Sequence, residues 1–198
     1  MKEFKVRASC AGKLMTNPQN KSEKISKTTK TYLEEWAKEQ IYGIKKEFSS
    51  RQTEKGIEVE QDAIDMAIDW ADIEFCVKNE IDFEDEYFTG TPDIILSDAI
   101  VDIKNSWDCF SFPLFEKDIP TKDYYYQLQV YMHLTGKRKA KLIYTLMNTP
   151  EHLGGGEDYS NLSPKMRCRV FEVEYDQEVI DKLIDRVKES RKYLKTLL

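Results

Sequence analysis

The sequence predicts a mixed α/β fold, a sheet flanked by helices, and three observations predict it. Apolar residues recur at helical spacing in four separate stretches, and short β-rich runs broken by turn residues lie between them. With 198 residues, 40% of them hydrophobic and 33% charged, the chain is long enough for one compact domain and too apolar to be disordered. No apolar run approaches the ~20 residues of a membrane-spanning helix, and the start, Met1–Cys10, lacks the apolar core of a signal peptide. No membrane partner is therefore expected.

Taken in order, Asn17–Lys30 reads as an exposed loop that turns helical near Thr28. Tyr32, Leu33, Trp36, Ile41 and Ile44 then space a helix to about Glu47. A second helix is expected from Thr53 to Val77, with Ile57, Ile64, Ala67, Ile68 and Ala71 on its core side. Tyr87–Thr89, Asp93–Leu96 and Ile100–Ile103 are short extended runs, broken by Gly90-Thr91-Pro92 and by Ser97-Asp98. The second break is short enough for a hairpin. A helix from about Lys122 to Leu134 stops at Gly136, a residue suited to the left-handed C-cap. Ala140–Met147 and Cys168–Val173 read as strands on either side of a loop, and Asp176 caps a last helix to about Leu194. The expected order is α-α-β-β-β-α-β-β-α. One unit is expected over 1–198: a basic helical region at about 1–50, a core at about 51–148, and a strand and helix at about 165–196.

The net charge of −6 conceals an uneven distribution. Residues 1–55 carry +6, residues 56–103 carry −14 and residues 104–198 carry +2. A polyanion responds to a local field rather than to the average, so the basic start can steer nucleic acid. The acidic middle is either a solvated helix face or a gathering of carboxylates around divalent cations. Four widely spaced cysteines without a CxxC, and two histidines, argue against a zinc site and for a reduced, cytoplasmic setting.

Three acids stand out. Glu60 lies between Ile57 and Ile64 on the apolar side of the second helix, where a carboxylate needs a partner or a metal. Gly56, one turn earlier, suggests close approach of another segment. Asp102 and Lys104 sit two apart on one strand and so project from one face, away from Val101 and Ile103. If the hairpin forms, Asp93 meets Asp102 across it. Two or three carboxylates, with the Ile103 carbonyl, make an all-oxygen site suited to Mg²⁺ or Mn²⁺. Lys104 beside it can orient a water or offset phosphate charge. Gln127 and Tyr131, four apart on one helical face, can hold a phosphate or the lysine by hydrogen bonds.

Glu60, Gly90-Thr91-Pro92-Asp93, Asp102-Ile103-Lys104 and Gln127-x-x-x-Tyr131 resemble the ordered motifs of the PD-(D/E)XK nuclease superfamily. Within it, Gly56-x-x-x-Glu60, the Tyr125–Met132 segment with Leu134-Thr135-Gly136, and Arg7-Ala8-Ser9 resemble phage recombination exonucleases of the lambda and YqaJ type. The resemblance covers about residues 5–145 and implies a restriction-endonuclease-like core. By it, Glu60, Asp93 and Asp102 bind the metal, Lys104 assists the attacking water, and Arg7 and Ser9 sit near a 5′ phosphate. It implies exonucleolytic degradation of linear double-stranded DNA in a bacterial or phage-infected cell, a homo-oligomer, and a phage single-strand annealing protein as partner. Asp102 stands where many relatives have Glu, and the basic segment Asn17–Lys46 departs from the pattern. The alternatives are an endonuclease on the same residues, a RecB- or Cas4-like nuclease without an iron–sulfur cluster, and a DNA-binding recombination protein without catalysis. Cleavage of linear but not closed-circular duplex, stopped by EDTA, separates them.

Overall fold

The computed structural model describes residues 2–20, 22–46, 50–71, 73 and 76–197. Strand β1 (Val6–Arg7) and a 3₁₀ turn (Ala8–Cys10) lead into the short helix α1 (Ala11–Leu14). Helix α2 (Lys27–Tyr42) begins at Ser26, whose hydroxyl accepts from the Thr29 N–H, and ends at Gly43 with φ +67°. The helix stops short of the expected Glu47: residues 44–46 are not helical, and Ile41 and Ile44 are exposed. Glu47 itself, Lys21, and residues 72, 74 and 75 of the second expected helix lie outside the described residues.

That second helix is a pair: α3 (Arg51–Glu58) and α4 (Glu60–Trp70), separated by Val59. The buried line across the break is Lys55, Val59, Ala63, Ala67 and Ala71, one residue every fourth position. Ile57, expected inside, is 72% exposed. Among the described residues, no atom beyond its own helix backbone and chain neighbours comes within 4 Å of where a Gly56 Cβ would stand, so the close approach expected there is not seen. Close approach occurs instead at Gly90, where a Cβ would lie 2.7 Å from the Tyr131 ring and 3.0 Å from the Ala8 Cβ.

The strands form two sheets where a single one was expected. β1, β3 (Phe88–Gly90) and β2 (Phe83–Glu84) lie in the order β1-β3-β2, with β1 and β3 parallel. The larger sheet has the order β4-β5-β6-β7: β4 (Ile94–Ile95), β5 (Ala99–Asn105), β6 (Lys139–Thr145) and β7 (Cys168–Glu174). β4 and β5 form the expected hairpin. β5 and β6 are parallel, joined through helix α5 (Lys122–Thr135), and β7 returns antiparallel. Asp176 caps α6 (Gln177–Thr196), its carboxylate accepting from the Glu178 and Val179 N–H groups.

Both faces of this sheet are covered, and strand alternation divides its side chains between two cores. Ile100, Leu142 and Phe171 pack with Leu128, Val130 and Met132 of α5, while Ile94, Val101 and Ile143 pack with Ile64 and Ala67 of α4. Helices thus flank a mixed sheet in a restriction-endonuclease-like core. Among the described residues no helix is long and apolar enough to cross a membrane.

Candidate active site

The pairs Ile94–Val101 and Ile95–Ile100 set the hairpin register and carry Asp93 opposite Asp102. The next rung is interrupted: Pro92 has no N–H to give the Ile103 carbonyl, and the Ile103 N–H is donated instead to Asp93 Oδ2 at 2.8 Å. A strand residue points its N–H and C=O to the same side, so the Ile103 carbonyl faces the Asp93 side. Asn79, absent from the expectations, clamps this turn. Its backbone N–H donates to the Asp93 carbonyl (2.7 Å) and its amide to the Pro92 carbonyl (2.9 Å).

Asp102 is 1% exposed. Gln127 Nε2 donates to its Oδ1 at 3.1 Å and also reaches the Tyr131 hydroxyl at 3.0 Å. Gln127 and Tyr131 are therefore buried behind the carboxylate, with the amide directed at Asp102 rather than at the surface or at Lys104. Lys104 Nζ lies 2.6 Å from Asp102 Oδ2, an ion pair. Among the described residues this ammonium is the one group found at the buried Oδ2. The Tyr124 ring lies under the same ammonium, 5.1 Å to its centroid.

The electrostatics follow from this packing. Burial, with the Asp102 charge next, raises the Asp93 carboxyl to about 6, and the Lys104 charge and Ile103 N–H only partly offset this. Burial works against the Lys104 charge, but Asp102 and Asp93 outweigh it and hold the ammonium above the usual lysine range. Burial and then Asp102 push the Tyr131 phenol up to about 12.

Glu60 is placed differently. It opens α4, which packs on the face of the sheet opposite Asp102 and Lys104, and its carboxylate is paired with Lys78 Nζ at 2.6 Å. Its charge still contributes to the rise at Asp93. Among the described residues no three His, Cys, Asp or Glu side chains stand together as a metal-binding group. The oxygens whose chemistry fits a hard cation are fewer: the Asp93 and Asp102 carboxylates and the Ile103 carbonyl. Lys78 is a residue the expectations missed, and its only sequence signal is a lone cation in an acidic stretch.

Arg7 pairs with Thr89 in the β1–β3 ladder, which sets Arg7-Ala8-Ser9 beside the Gly90–Asp93 segment, with Arg7 and Ser9 exposed. Of the basic loop, Lys24 pairs with Glu189 (3.6 Å) and Lys30 with Glu23 (2.8 Å). Lys55 is the other missed residue. It is 1% exposed, and its Nζ donates to the carbonyls of Ser106 (2.7 Å), Trp107 (2.9 Å) and Met147 (2.7 Å). Burial lowers it to about 8, still protonated at neutral pH.

A phage-related exonuclease from Haemophilus somnus 129PT superposes with a TM-score of 0.85 at 28% identity, over 99% of this chain and 96% of that one. The chain is homologous to a phage-related exonuclease. An alkaline exonuclease from Laribacter hongkongensis shares the fold, with a TM-score of 0.72 at 18% identity over 97% of this chain and 88% of its own. Its complex with dAMP gives 0.71 at 20% identity, with the same coverage. No family model matches the chain, and no curated protein does.

Proposed function

We propose that the protein is a metal-dependent deoxyribonuclease that hydrolyses phosphodiester bonds from the ends of linear double-stranded DNA. The observation that carries this is Asp102: a buried carboxylate with one oxygen fixed by Gln127 and the other paired with the Lys104 ammonium, across the hairpin from Asp93. Asp93, Asp102 and the Ile103 carbonyl would hold Mg²⁺ or Mn²⁺. When bound, the ion supplies Lewis-acid charge and lowers the pKa of a coordinated water.

The chain's own groups do the rest. Gln127 and Tyr131 fix the Asp102 rotamer. Lys104, held as a cation, orients the attacking water and donates to a phosphate oxygen as charge develops there. The cation sits on Tyr124, which limits where Nζ can swing. Glu60 joins the ligand set only if it leaves Lys78. Arg7 and Ser9 offer a guanidinium and a hydroxyl for a terminal 5′ phosphate, which carries more charge than an internal diester.

The homology to a phage-related exonuclease supports the preference for ends. End-labelled linear duplex and relaxed closed circles, incubated with Mg²⁺ and with EDTA, test the reading. Linear DNA is expected to be digested only with Mg²⁺, while circles persist. Linearised circles would make the enzyme an endonuclease on the same residues, and intact DNA in every arm would overturn the nuclease reading.

A further inference from the structure

The segment 106–121, between β5 and α5, has no assigned role. It leaves the sheet two residues after Lys104 and returns at the start of α5, where the Tyr124 ring lies under the Lys104 ammonium. Both ends of the loop therefore flank the proposed active site. The loop is held along its length. Lys55 binds the Ser106 and Trp107 carbonyls, and the Thr149 hydroxyl donates to Trp107. The Cys109 N–H donates to the Tyr159 hydroxyl, and Arg169 donates to the Glu116 carbonyl. Asp108 and Ser111 close a tight turn through three mutual hydrogen bonds. Phe112 anchors the middle in the core at 6% exposure.

On this fixed frame Phe110 is 94% exposed and Phe115 is 91% exposed. Leaving two phenyl rings in water forgoes the gain of burying them. The segment carries Asp108, Glu116 and Asp118 against Lys117, a net charge of −2, so the loop is not built to attract phosphates. Its chemistry is a pair of rigid aromatic faces. At ~3.5 Å of chain per residue, Phe110 lies within about 20 Å of Lys104, a span of about six base steps.

We propose that Phe110 and Phe115 form a stacking platform for unpaired nucleobases of the DNA strand that enters the site. This rests on the nuclease reading for its location and deepens it by naming what holds the opened strand. Aromatic faces accept any base, so the platform selects unpaired over paired DNA rather than one sequence over another.

The test is binding of a fifteen-nucleotide oligothymidylate carrying a central 2-aminopurine, in EDTA so that no strand is cut, beside Mg²⁺-dependent digestion of blunt and frayed-end duplexes. Wild-type protein is expected to quench the fluorophore saturably. Phe110→Ala/Phe115→Ala is expected to weaken binding fivefold or more, a deficit that persists at high salt, while Phe110→Trp/Phe115→Trp restores it. Digestion of blunt duplex by the alanine variant should slow more than digestion of frayed ends. Both rings are exposed, so the melting temperature should not move. An alanine variant that binds the oligonucleotide as the wild type does overturns the platform and leaves the nuclease reading standing. A change in oligomeric state with unchanged single-strand affinity overturns it too, making the rings a protein contact. Quenching that the alanine variant loses, in a wild type that cuts no DNA, removes the nuclease reading and keeps the platform.

Discussion

Two lysines, Lys55 buried and Lys104 partly buried, make opposite use of the same side chain. Lys104 faces two carboxylates and is held above the usual lysine range; Lys55 faces three carbonyls and is lowered to about 8. Burial disfavours both charges. The difference is that a carboxylate answers an ammonium with a full charge, whereas a carbonyl answers with a dipole. One site thereby gains a lasting cation beside a buried acid, Asp102, and a half-buried one, Asp93. The other gains a three-way fastener with directed bonds, which ties α3 to the ends of β5 and β6.

The comparison breaks first at Lys104. Lys104→Ala should lower the digestion rate of end-labelled linear duplex by about 10²–10⁴-fold, with DNA affinity in EDTA little changed. Full activity would remove this lysine from the mechanism. Next is Lys55→Met, which leaves three carbonyls without their donor. At about 1 kcal/mol or more for each, the urea midpoint should fall by the equivalent of about 3 kcal/mol.

Smaller effects follow from titration. The unfolded chain keeps the Lys55 proton to near the ordinary value of 10.5, while the folded chain releases it from about 8. The penalty for burying the charge is thus complete below about pH 8, and stability should recover between there and pH 10.5. Urea melts across that window should show the slope in the wild type and not in Lys55→Met. Asp93 titrates from the acid side. Its folded value of about 6 exceeds the ordinary 3.8, so its contribution is present in full below pH 3.8 and is lost as pH rises through 6. Asp93→Asn should flatten that segment of the metal-free stability curve, and calorimetric Mn²⁺ binding by the wild type should weaken as pH falls and Asp93 takes up its proton. The smallest effect on stability is expected for Glu60→Gln, whose half-exposed pair with Lys78 is worth no more than about 1 kcal/mol. If Glu60 is a ligand, calorimetric titration with Mn²⁺ will show weaker binding all the same.

Much of this architecture was legible where local chemistry decides it. Alternation around Ser97-Asp98 announced the β4–β5 hairpin, Gly136 marked the end of α5 with φ +72°, and Asp176 marked the start of α6. The rest depended on partners distant in sequence. β1 is two residues long and exists only because β3 receives it. The helix stripe was misplaced because its first member is Lys55, and a charge at a core position looks like a surface residue until its three carbonyls are in view. Glu60 was assigned to the apolar side for the same reason: the true line runs through Val59, one residue away. Spacing also could not show that α4 covers the face of the sheet opposite Asp102. In the candidate site, the pairing of Asp93 with Asp102 and the common face of Asp102 and Lys104 followed from strand geometry, whereas Asn79 and Lys78 carried no motif.

The Lys55 fastener also bears on the order of assembly. Its three bonds join positions 51, 52 and 92 residues apart, across strands that must already be side by side. Such bonds close large loops and form after the sheet has docked, on the native side of the folding barrier. They then act as a latch on the finished molecule: removing them should speed unfolding far more than it slows refolding. The loop that displays Phe110 hangs from the same latch, so the lifetime of that display is the lifetime of the native state itself.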